Sequence, residues 1–385
     1  MEFDLSWLLL GLPVAFVLGW LASRLDLRQL RFDNRQAPKA YFKGLNFLLN
    51  EQQDQAIDAF IEAVQNDPDT SELHFALGNL FRRRGEFERA VRVHQHLLSR
   101  ADLSLDDRHR AQHALALDFL KAGLLDRAED ALRQLEGSPL ANQARLARLA
   151  IYERTREWPQ AAEVARQLEA NGDISFAGRL AHYLCEQAAS RSAEGQMAAA
   201  EQLLRQAIAD APQAGRPRVQ LARLQSDDGQ IAPALATLQE LAAATPEVLP
   251  LVASLLVSCA QCASQLPAAR ALLREHYQHH PSLDVLEALI ELETAATGDA
   301  QAARQGYITH LEREPSLIAA TRWLAGEKLE HQQFHPQVQR ALEQASKPLS
   351  RYRCMACGFE AKNHFWQCPG CQAWDSYPPR RVEEL

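Results

Sequence analysis

A pattern that repeats every 34 residues constrains the fold of this 385-residue chain more than any other feature. The stretch 40–68 has the apolar spacing of two short helices with a turn at Glu51–Asp54. Its landmarks are small or aromatic and recur one period later: Gly44, Phe47 and Ala56, then Gly78, Phe81 and Ala90. A fixed period of this length predicts stacked helix–turn–helix units, each burying its apolar face against the next.

Prolines carry the same period into the second half of the chain. Pro212, Pro246, Pro281 and Pro315 follow one another at intervals of 34, 35 and 34 residues. Because proline cannot continue a helix, each is expected where the second helix of a unit ends.

Small residues mark the turns and the helix contacts of these units. Gly195 and Gly229 are predicted in turns, where a positive φ costs glycine little. Close helix contacts are predicted at alanines in matching positions: Ala56, Ala90, Ala128, Ala161, Ala200 and Ala234. The fourth repeat, around Trp158, lacks the glycines of the pattern. Asn171–Asp173 is predicted to interrupt the run of helices.

Together these positions resemble the tetratricopeptide repeat, which implies an all-α solenoid of about eight to nine helix pairs over residues 37–346. Concave faces of such arrays bind peptides or partner proteins. The partner groove is predicted to be lined by residues on the first helix of the second repeat: Phe75, Asn79, Arg82 and Arg83. The alternative interpretation of Arg82–Arg84 is a solvated helix end.

Composition and charge agree with a helical, non-nucleic-acid-binding protein. The chain is rich in helix-favouring residues such as alanine and leucine. A net charge of −8 argues against a nucleic-acid binder, whose footprint would be basic. Seven cysteines, four of them clustered near the C-terminus, indicate a metal site and a reducing compartment.

The N-terminal residues predict a membrane anchor over 1–23. Leu5 to Ala22 carries no charge, and 18 helical residues span about 27 Å, close to the hydrocarbon thickness. Trp7 and Trp20 lie near its two ends, where interfacial rings are favoured. Acidic Glu2 and Asp4 do not fit a cleaved signal peptide.

A basic linker is predicted over residues 24–36. Cations outnumber the two acids that follow the span: Arg24, Arg28, Arg31, Arg35, Lys39 and Lys43 against Asp26 and Asp33. Positive charge favours the cytoplasmic side and contact with anionic membrane lipid. The bulk of the chain is therefore expected on the cytoplasmic side of the cell inner membrane.

Four cysteines in residues 347–385 form a C-x2-C-x10-C-x2-C pattern: Cys354, Cys357, Cys368 and Cys371. Two such turns complete a tetrahedron of thiolates, and tetrahedral sulfur binds iron or zinc. The CxxCG and CPxC pairs resemble rubredoxin knuckles, with a shorter loop between them, which implies iron with zinc as the alternative. Some of the module's many aromatic rings are expected to dock on the last helices of the array, for example near Trp323 and Leu324.

No catalytic constellation is visible, and the chain is expected not to be an enzyme. Gly-rich phosphate loops, HExxH and G-x-S-x-G are absent from the sequence. Cys259, Cys262 and Cys185 are interpreted as packing residues, since no turn surrounds the first two. His276, His279 and His280 are interpreted as a polar helix end rather than metal ligands.

Anchor, repeat array and four-cysteine module, in this order, resemble the lipopolysaccharide assembly protein B (LapB/YciM) family of Gram-negative bacteria. The resemblance implies a cytoplasm-facing inner-membrane scaffold that regulates lipopolysaccharide biosynthesis. In that family the membrane protease FtsH is the implied partner and the deacetylase LpxC the implied client for degradation. Lipopolysaccharide assembly factors are further implied partners, and the family's metal ligands carry over to the four C-terminal cysteines.

Other functions stay open from the residues alone. A membrane-tethered, rubredoxin-like redox or metal sensor would cycle iron at the four cysteines. A nucleic-acid-binding zinc ribbon is discouraged by the acidic balance. Self-association into a homo-oligomer is compatible with the repeat array.

Overall fold

The computed structural model describes residues 16–18, 20, 42–67, 69–170, 175–297, 300–327 and 332–385. Within them the structure is all-helical apart from one small ribbon near the C-terminus, as the repeat pattern predicts. The chain divides into two compact units, Met1–Thr155 (unit one) and Arg156–Leu385 (unit two).

Unit one is a run of antiparallel helix pairs. It opens with α1 over residues 42–49. The helices that follow are α2 (Gln53–Asn66), α3 (Ser71–Arg84), α4 (Phe87–Ser99), α5 (Leu105–Lys121), α6 (Leu125–Arg133) and α7 (Ala141–Thr155).

Unit two continues with the same kind of pairs and ends in the cysteine module. Its first helices are α8 (Trp158–Ala170), α9 (Ala177–Ala193), α10 (Met197–Asp210), α11 (Gly215–Asp227), α12 (Ile231–Ala244) and α13 (Ala253–Cys262). Then come α14 (Leu266–His279), α15 (Leu283–Thr297), α16 (Ala300–Leu311), α17 (Leu317–Ala325) and α18 (His335–Ser346). A 3-10 helix, Pro246–Val252, precedes α13; strands β1 (Tyr352–Arg353) and β2 (Glu360–Ala361) and a last 3-10 helix, Val382–Glu384, follow α18.

Buried alanines and helix-ending prolines build these pairs as expected. The six alanines of the repeat pattern are all 0% exposed, so neighbouring helices approach through them. Helices α10, α12 and α14 end at Asp210, Ala244 and His279, each just before a proline. Packing of these small-residue faces supplies most of the stability of the short helices.

The two glycine sets have different roles. Gly195 and Gly229 have φ of 77° and 75° and close the turn within a pair, as predicted. Gly44 and Gly78 instead lie inside first helices, where a Cβ at Gly78 would come 2.5 Å from the His94 ring. Such an approach leaves no room for a side chain at Gly78.

The predicted membrane span and basic linker fall almost wholly outside the described residues. Residues 16–18 and 20 are the described part of Leu5–Ala22, and they are helical and exposed. Among the residues with a described structure, none belongs to a helix long and apolar enough to cross a bilayer.

Candidate metal centre and its docking surface

The four C-terminal cysteines lie on two tight turns of similar construction. Strand β1 runs into Cys354 and pairs antiparallel with β2, which follows the first turn. A bridge between Gln367 and Trp374 closes the second turn in the same way. The first turn therefore carries its two cysteines at the end of a two-stranded ladder, and the second beside a single β-bridge.

The backbone hydrogen bonds of the two turns correspond one to one. The Gly358 N–H donates to the Cys354 carbonyl at 2.8 Å, and the Gln372 N–H donates to the Cys368 carbonyl at 2.8 Å. Gly358 and Gln372, each following a second cysteine, have φ of 79° and 61°. In both turns the chain reverses direction through a residue with left-handed backbone conformation. Only the first turn has glycine at that position.

The sulfur atoms fit one tetrahedral ion. Sγ of Cys354 lies 3.8 Å from Sγ of Cys371, and Sγ of Cys357 lies 3.7 Å from Sγ of Cys368. A tetrahedron with metal–sulfur bonds of about 2.3 Å has an edge of about 3.8 Å. All four Sγ atoms lie within 4.8 Å of one another, so a four-cysteine metal-binding site is present. The donor set suits iron and zinc equally.

Local hydrogen bonds favour the thiolate form of these cysteines, and repulsion between the neighbouring sulfurs opposes it. Burial raises the pKa of Cys354, but Ser376 Oγ at 3.3 Å and the N–H groups of Cys357 and Ala356 lower it to about 6. The Phe359 N–H lowers the pKa of Cys357, whereas burial and the neighbouring sulfurs raise it to about 12. Four thiolates this close need a cation to neutralise them.

The module docks on the helices of unit two through Trp374. This ring stacks on His182 at 4.5 Å and meets the rings of Trp158 and Tyr183 edge-on at 6.1 and 6.3 Å. His182 and Tyr183 are buried on α9, and Trp158 is buried at the start of α8. Aromatic pairs of this geometry each contribute about 0.5–1.5 kcal/mol beyond area burial.

A chain of polar contacts fixes the same interface. Asp375 Oδ2 lies 2.7 Å from His182 Nε2. Arg216, which is 5% exposed, donates to Glu186 Oε1 at 2.6 Å and lies 5.7 Å over the Trp374 ring. The buried His182 and Arg216 therefore each have a polar partner, as burial requires.

The last residues of the chain cap two helices. Glu383 accepts hydrogen bonds from the N–H groups of Leu317 and Ile318 at the start of α17. Glu384 accepts from the Leu283 N–H at 2.6 Å at the start of α15. Carboxylates are favoured at helix N-termini because they satisfy free N–H groups and the helix dipole.

An arginine completes this C-terminal anchor. Arg381 forms a two-point ion pair with Asp284, at 3.0 and 2.7 Å, and lies 4.3 Å over the Tyr352 ring. Docking near Trp323 and Leu324, expected from the sequence, is wrong for the aromatic rings. Trp374 packs instead on α8 and α9, because their aromatic residues and His182 form the matching surface.

The other cysteines and histidines that the structure describes are not assembled into a second site. Cys185 and Cys259 are buried, as expected of packing residues, and burial raises the pKa of Cys185 to about 12. Cys262 is exposed at the end of α13, so its interpretation as a packing residue is wrong. His276 is buried, whereas His279 and His280 are exposed. In the described part of the chain, the four C-terminal cysteines are the one cluster of at least three potential ligands.

The residues predicted to line a partner groove are mostly engaged within unit one. Phe75 is buried under Arg110 and so does not line an open surface, which corrects that prediction. Arg82 donates to the fully buried Asp118 at 2.9 Å and to Asn79 at 2.5 Å.

Arg83 is exposed, and its partner role stays a prediction. The missed signal was His94, whose Nδ1 lies 2.5 Å from Asp118 Oδ2 and completes the buried network. A histidine and an aspartate 24 residues apart, on apolar faces of the successive helices α4 and α5, indicate such a pair.

Family models match both parts of the chain. The model described as rubredoxin metal binding domain matches residues 352–378. Tetratricopeptide repeat models match residues 73–110 and 192–259. The solved structure of Naa15/Naa10 bound to HypK-THB covers 82% of this chain and 48% of that chain, with 15% identity and a TM-score of 0.44.

Two similar relatives extend over nearly the whole chain. Lipopolysaccharide assembly protein B of Escherichia coli (strain K12) is 33% identical over 98% of both chains. The protein of the same name in Haemophilus influenzae is 29% identical, also over 98% of both chains. The tetratricopeptide repeats, the terminal four-cysteine module and this end-to-end similarity agree, and the chain belongs to the lipopolysaccharide assembly protein B family.

Proposed function

We propose that this protein is a membrane-anchored scaffold, without catalytic activity of its own, that supports and regulates lipopolysaccharide assembly. The observation that carries this proposal is the end-to-end similarity to proteins named for lipopolysaccharide assembly, at 33% identity over 98% of both chains. Similarity confined to the repeats would support only a general binding role, whereas here it includes the cysteine module.

The scaffold acts by presenting a client to a proteolytic partner. By family resemblance the client is the deacetylase LpxC and the partner is the membrane protease FtsH. Lipopolysaccharide assembly factors are further partners in this proposal. Repeat arrays suit the task because they offer long surfaces of preformed helices to other proteins.

Its place is the cytoplasmic side of the inner membrane. The uncharged stretch Leu5–Ala22 and the cations between Arg24 and Lys43 support this orientation. Tethering to the bilayer raises the effective concentration of the scaffold toward membrane partners.

The metal module contributes by fixing the structure of unit two. An ion among the four thiolates holds the two turns, and the turns position Trp374 and Asp375 on α9. Loss of the ion is expected to release this interface, because so small a module has little core of its own.

Complementation tests the proposal. This chain is expressed in Escherichia coli K12 cells depleted of their own lipopolysaccharide assembly protein B. The amount of LpxC is then followed by immunoblot after protein synthesis is blocked. We expect LpxC to be degraded at the rate of undepleted cells and to persist when FtsH is also depleted. Truncation of residues 1–23 is expected to abolish the effect.

Two variants separate the metal site from cysteine chemistry in general. Cys354→Ser combined with Cys357→Ser should fail to restore LpxC turnover, whereas the exposed Cys262→Ser should behave as the parent chain. LpxC turnover that is unchanged by the wild-type chain, at normal expression, would contradict the client assignment.

A further inference from the structure

A cleft of about 590 Å³ lies in unit two, between the metal module and the helices that carry it. One wall is formed by the start of α9, around Gly178, and by the 210–216 segment between α10 and α11. The opposite wall comes from the module, with Met355, Trp366 and Pro378. We call this space the seam cleft; its volume is in the range typical of ligand-binding pockets.

The walls of the seam cleft are largely apolar. Val248, Trp366 and Pro378 line it, and Met355 contributes a flexible side chain on a residue that is 66% exposed. Methionine adapts to different apolar partners and is common at binding surfaces. An exposed methionine next to a concave apolar wall therefore indicates a docking place for an apolar side chain.

Charges deep in the cleft are already compensated. Arg216 is held by Glu186 at 2.6 Å, and His182 is held by Asp375 at 2.7 Å. Neither side chain is free to select an anionic ligand. Recognition by charge must therefore come from the rim.

The rim carries carboxylates without basic partners. Within the described residues, Asp210 and Glu247 line the cleft, are exposed and have no lysine, arginine or histidine nitrogen within 4 Å. Asp210 is the last residue of α10, where the helix dipole adds further negative potential. Asp375 adds a third carboxylate that is 61% exposed, although its Oδ2 is held by His182 at 2.7 Å.

We propose that the seam cleft binds an extended peptide segment of a partner protein, in which an apolar side chain is flanked by lysine or arginine. The apolar side chain fills the space beside Met355 and Trp366, and the basic neighbours meet Asp210 and Glu247. The inference rests on the proposed scaffold function and names the kind of segment that the scaffold holds. Rim charges of this kind select partners and steer association.

Gly178 offers a clean way to block the cleft. A Cβ added there would meet no atom within 4 Å, and its φ is not in the left-handed region. Gly178→Trp therefore adds a large ring at the cleft wall from a Cβ that meets no neighbouring atom. Gly178→Ala is the matched control, since it changes helix propensity but not the space.

Fluorescein-labelled dodecapeptides, titrated into the metal-loaded full chain in detergent micelles, test the proposal by anisotropy. The three probes have Lys-Leu-Lys, Glu-Leu-Glu or Lys-Ser-Lys at the centre of a Gly/Ser sequence. We expect Lys-Leu-Lys to bind at least tenfold more tightly than the other two, with affinity falling as salt rises. Gly178→Trp should weaken it at least tenfold, and Gly178→Ala by less than twofold.

Reversing the charge of the rim carboxylates provides a second test. Asp210→Lys combined with Glu247→Lys should reverse the preference between lysine and glutamate flanks. Equal affinity for the three probes, or unchanged binding by Gly178→Trp, would overturn the proposal. So would light scattering that shows dimers abolished by Gly178→Trp, because the cleft would then be occupied by a second copy of the chain.

The two proposals fail separately. If the wild-type chain binds Lys-Leu-Lys at the cleft but does not restore LpxC turnover, the scaffold function falls and the cleft assignment stands. If turnover is restored equally by wild type and Gly178→Trp while the probes do not bind, the cleft assignment alone falls.

Discussion

At the scale of single residues, turn geometry is more regular than the sequence pattern. Gly229 donates to the Ser226 carbonyl, and the next N–H reaches back five residues to Gln225. Ser264, with φ of 56°, makes the corresponding bonds to Gln261 and, through Gln265, to Ala260. The repeat therefore keeps its left-handed turn residue even where glycine is absent.

Ser264→Gly should consequently stabilise the protein by about 0.5–1 kcal/mol, because glycine lowers the cost of a positive φ by more than its added chain entropy. Ser264 is exposed, so no buried contact is lost. Denaturant unfolding measures the change. Ser258→Gly, in the middle of α13, is the control and should destabilise by a similar amount.

His276 makes stability depend on pH. Burial, followed by the charges of His280, Arg380 and His279, lowers its pKa from 6.5 to about 4. The unfolded chain then binds the proton more readily, so this contribution to stability is complete above pH 6.5 and is lost as pH falls toward 4. His276→Gln should reduce the stability lost between pH 7.5 and 5.5 by about 1 kcal/mol.

Urea unfolding of both proteins at the two pH values measures this difference. His279→Gln, on the exposed side of the same helix, should leave the loss close to that of wild type. An unchanged loss in His276→Gln would show that other groups carry the pH dependence.

At the scale of elements, the units are held by small faces between helices and by caps from distant parts of the chain. Ala234 on α12 is 0% exposed, and Glu383 and Glu384 at the end of the chain cap α17 and α15. Neither kind of contact is strong by itself, but short helices depend on them because isolated helices of this length are marginal in water.

Ala234→Leu should destabilise the protein by about 1–3 kcal/mol, because the added atoms push neighbouring helices apart. Ala236→Leu, two residues along the same helix and exposed, provides the control and should change stability by less than about 0.5 kcal/mol. Thermal unfolding followed by circular dichroism compares the two.

Glu383→Ala should cost about 1 kcal/mol, since it leaves the first N–H groups of α17 without their acceptor. Hydrogen exchange is expected to increase at Leu317 and Ile318, while α9 keeps its protection. An effect spread evenly over unit two would argue against a local cap.

At the scale of the molecule, the docked module joins helices from distant parts of unit two. Trp374, Asp375 and the C-terminal residues contact α8, α9, α15 and α17, although the module itself has few buried side chains. We therefore expect metal binding to be coupled to the packing of these helices.

Removal of the metal by a chelator should raise hydrogen exchange in residues 352–378 and on the face of α9 around His182, with unit one unaffected. Trp374→Ala with metal retained should expose His182 but leave the cysteine turns protected. Protection unchanged by chelation would contradict the coupling. The absorption spectrum of the purified protein identifies the ion, because iron–thiolate is coloured and zinc–thiolate is not; reversible bleaching would favour the redox alternative.

The sequence by itself determined the helix pairs, the cysteine turns and the membership of the family, because these depend on local spacing. A 34-residue period places Ala200 and Ala234 at matching contacts, and C-x2-C brings two thiols to one turn whatever surrounds it. Glycine favours turns, proline ends helices and a C-x2-C pair forms a metal-binding turn in most surroundings. These features can therefore be predicted directly from the sequence.

Only the tertiary structure decided which surfaces meet. Trp374 docks on His182 rather than near Trp323, and Phe75 is inside unit one rather than on a groove, because burial depends on residues far away in the chain. The caps from Glu383 and Glu384 join positions 66 and 101 residues apart. No local pattern encodes such contacts, and the seam cleft exists only because they form.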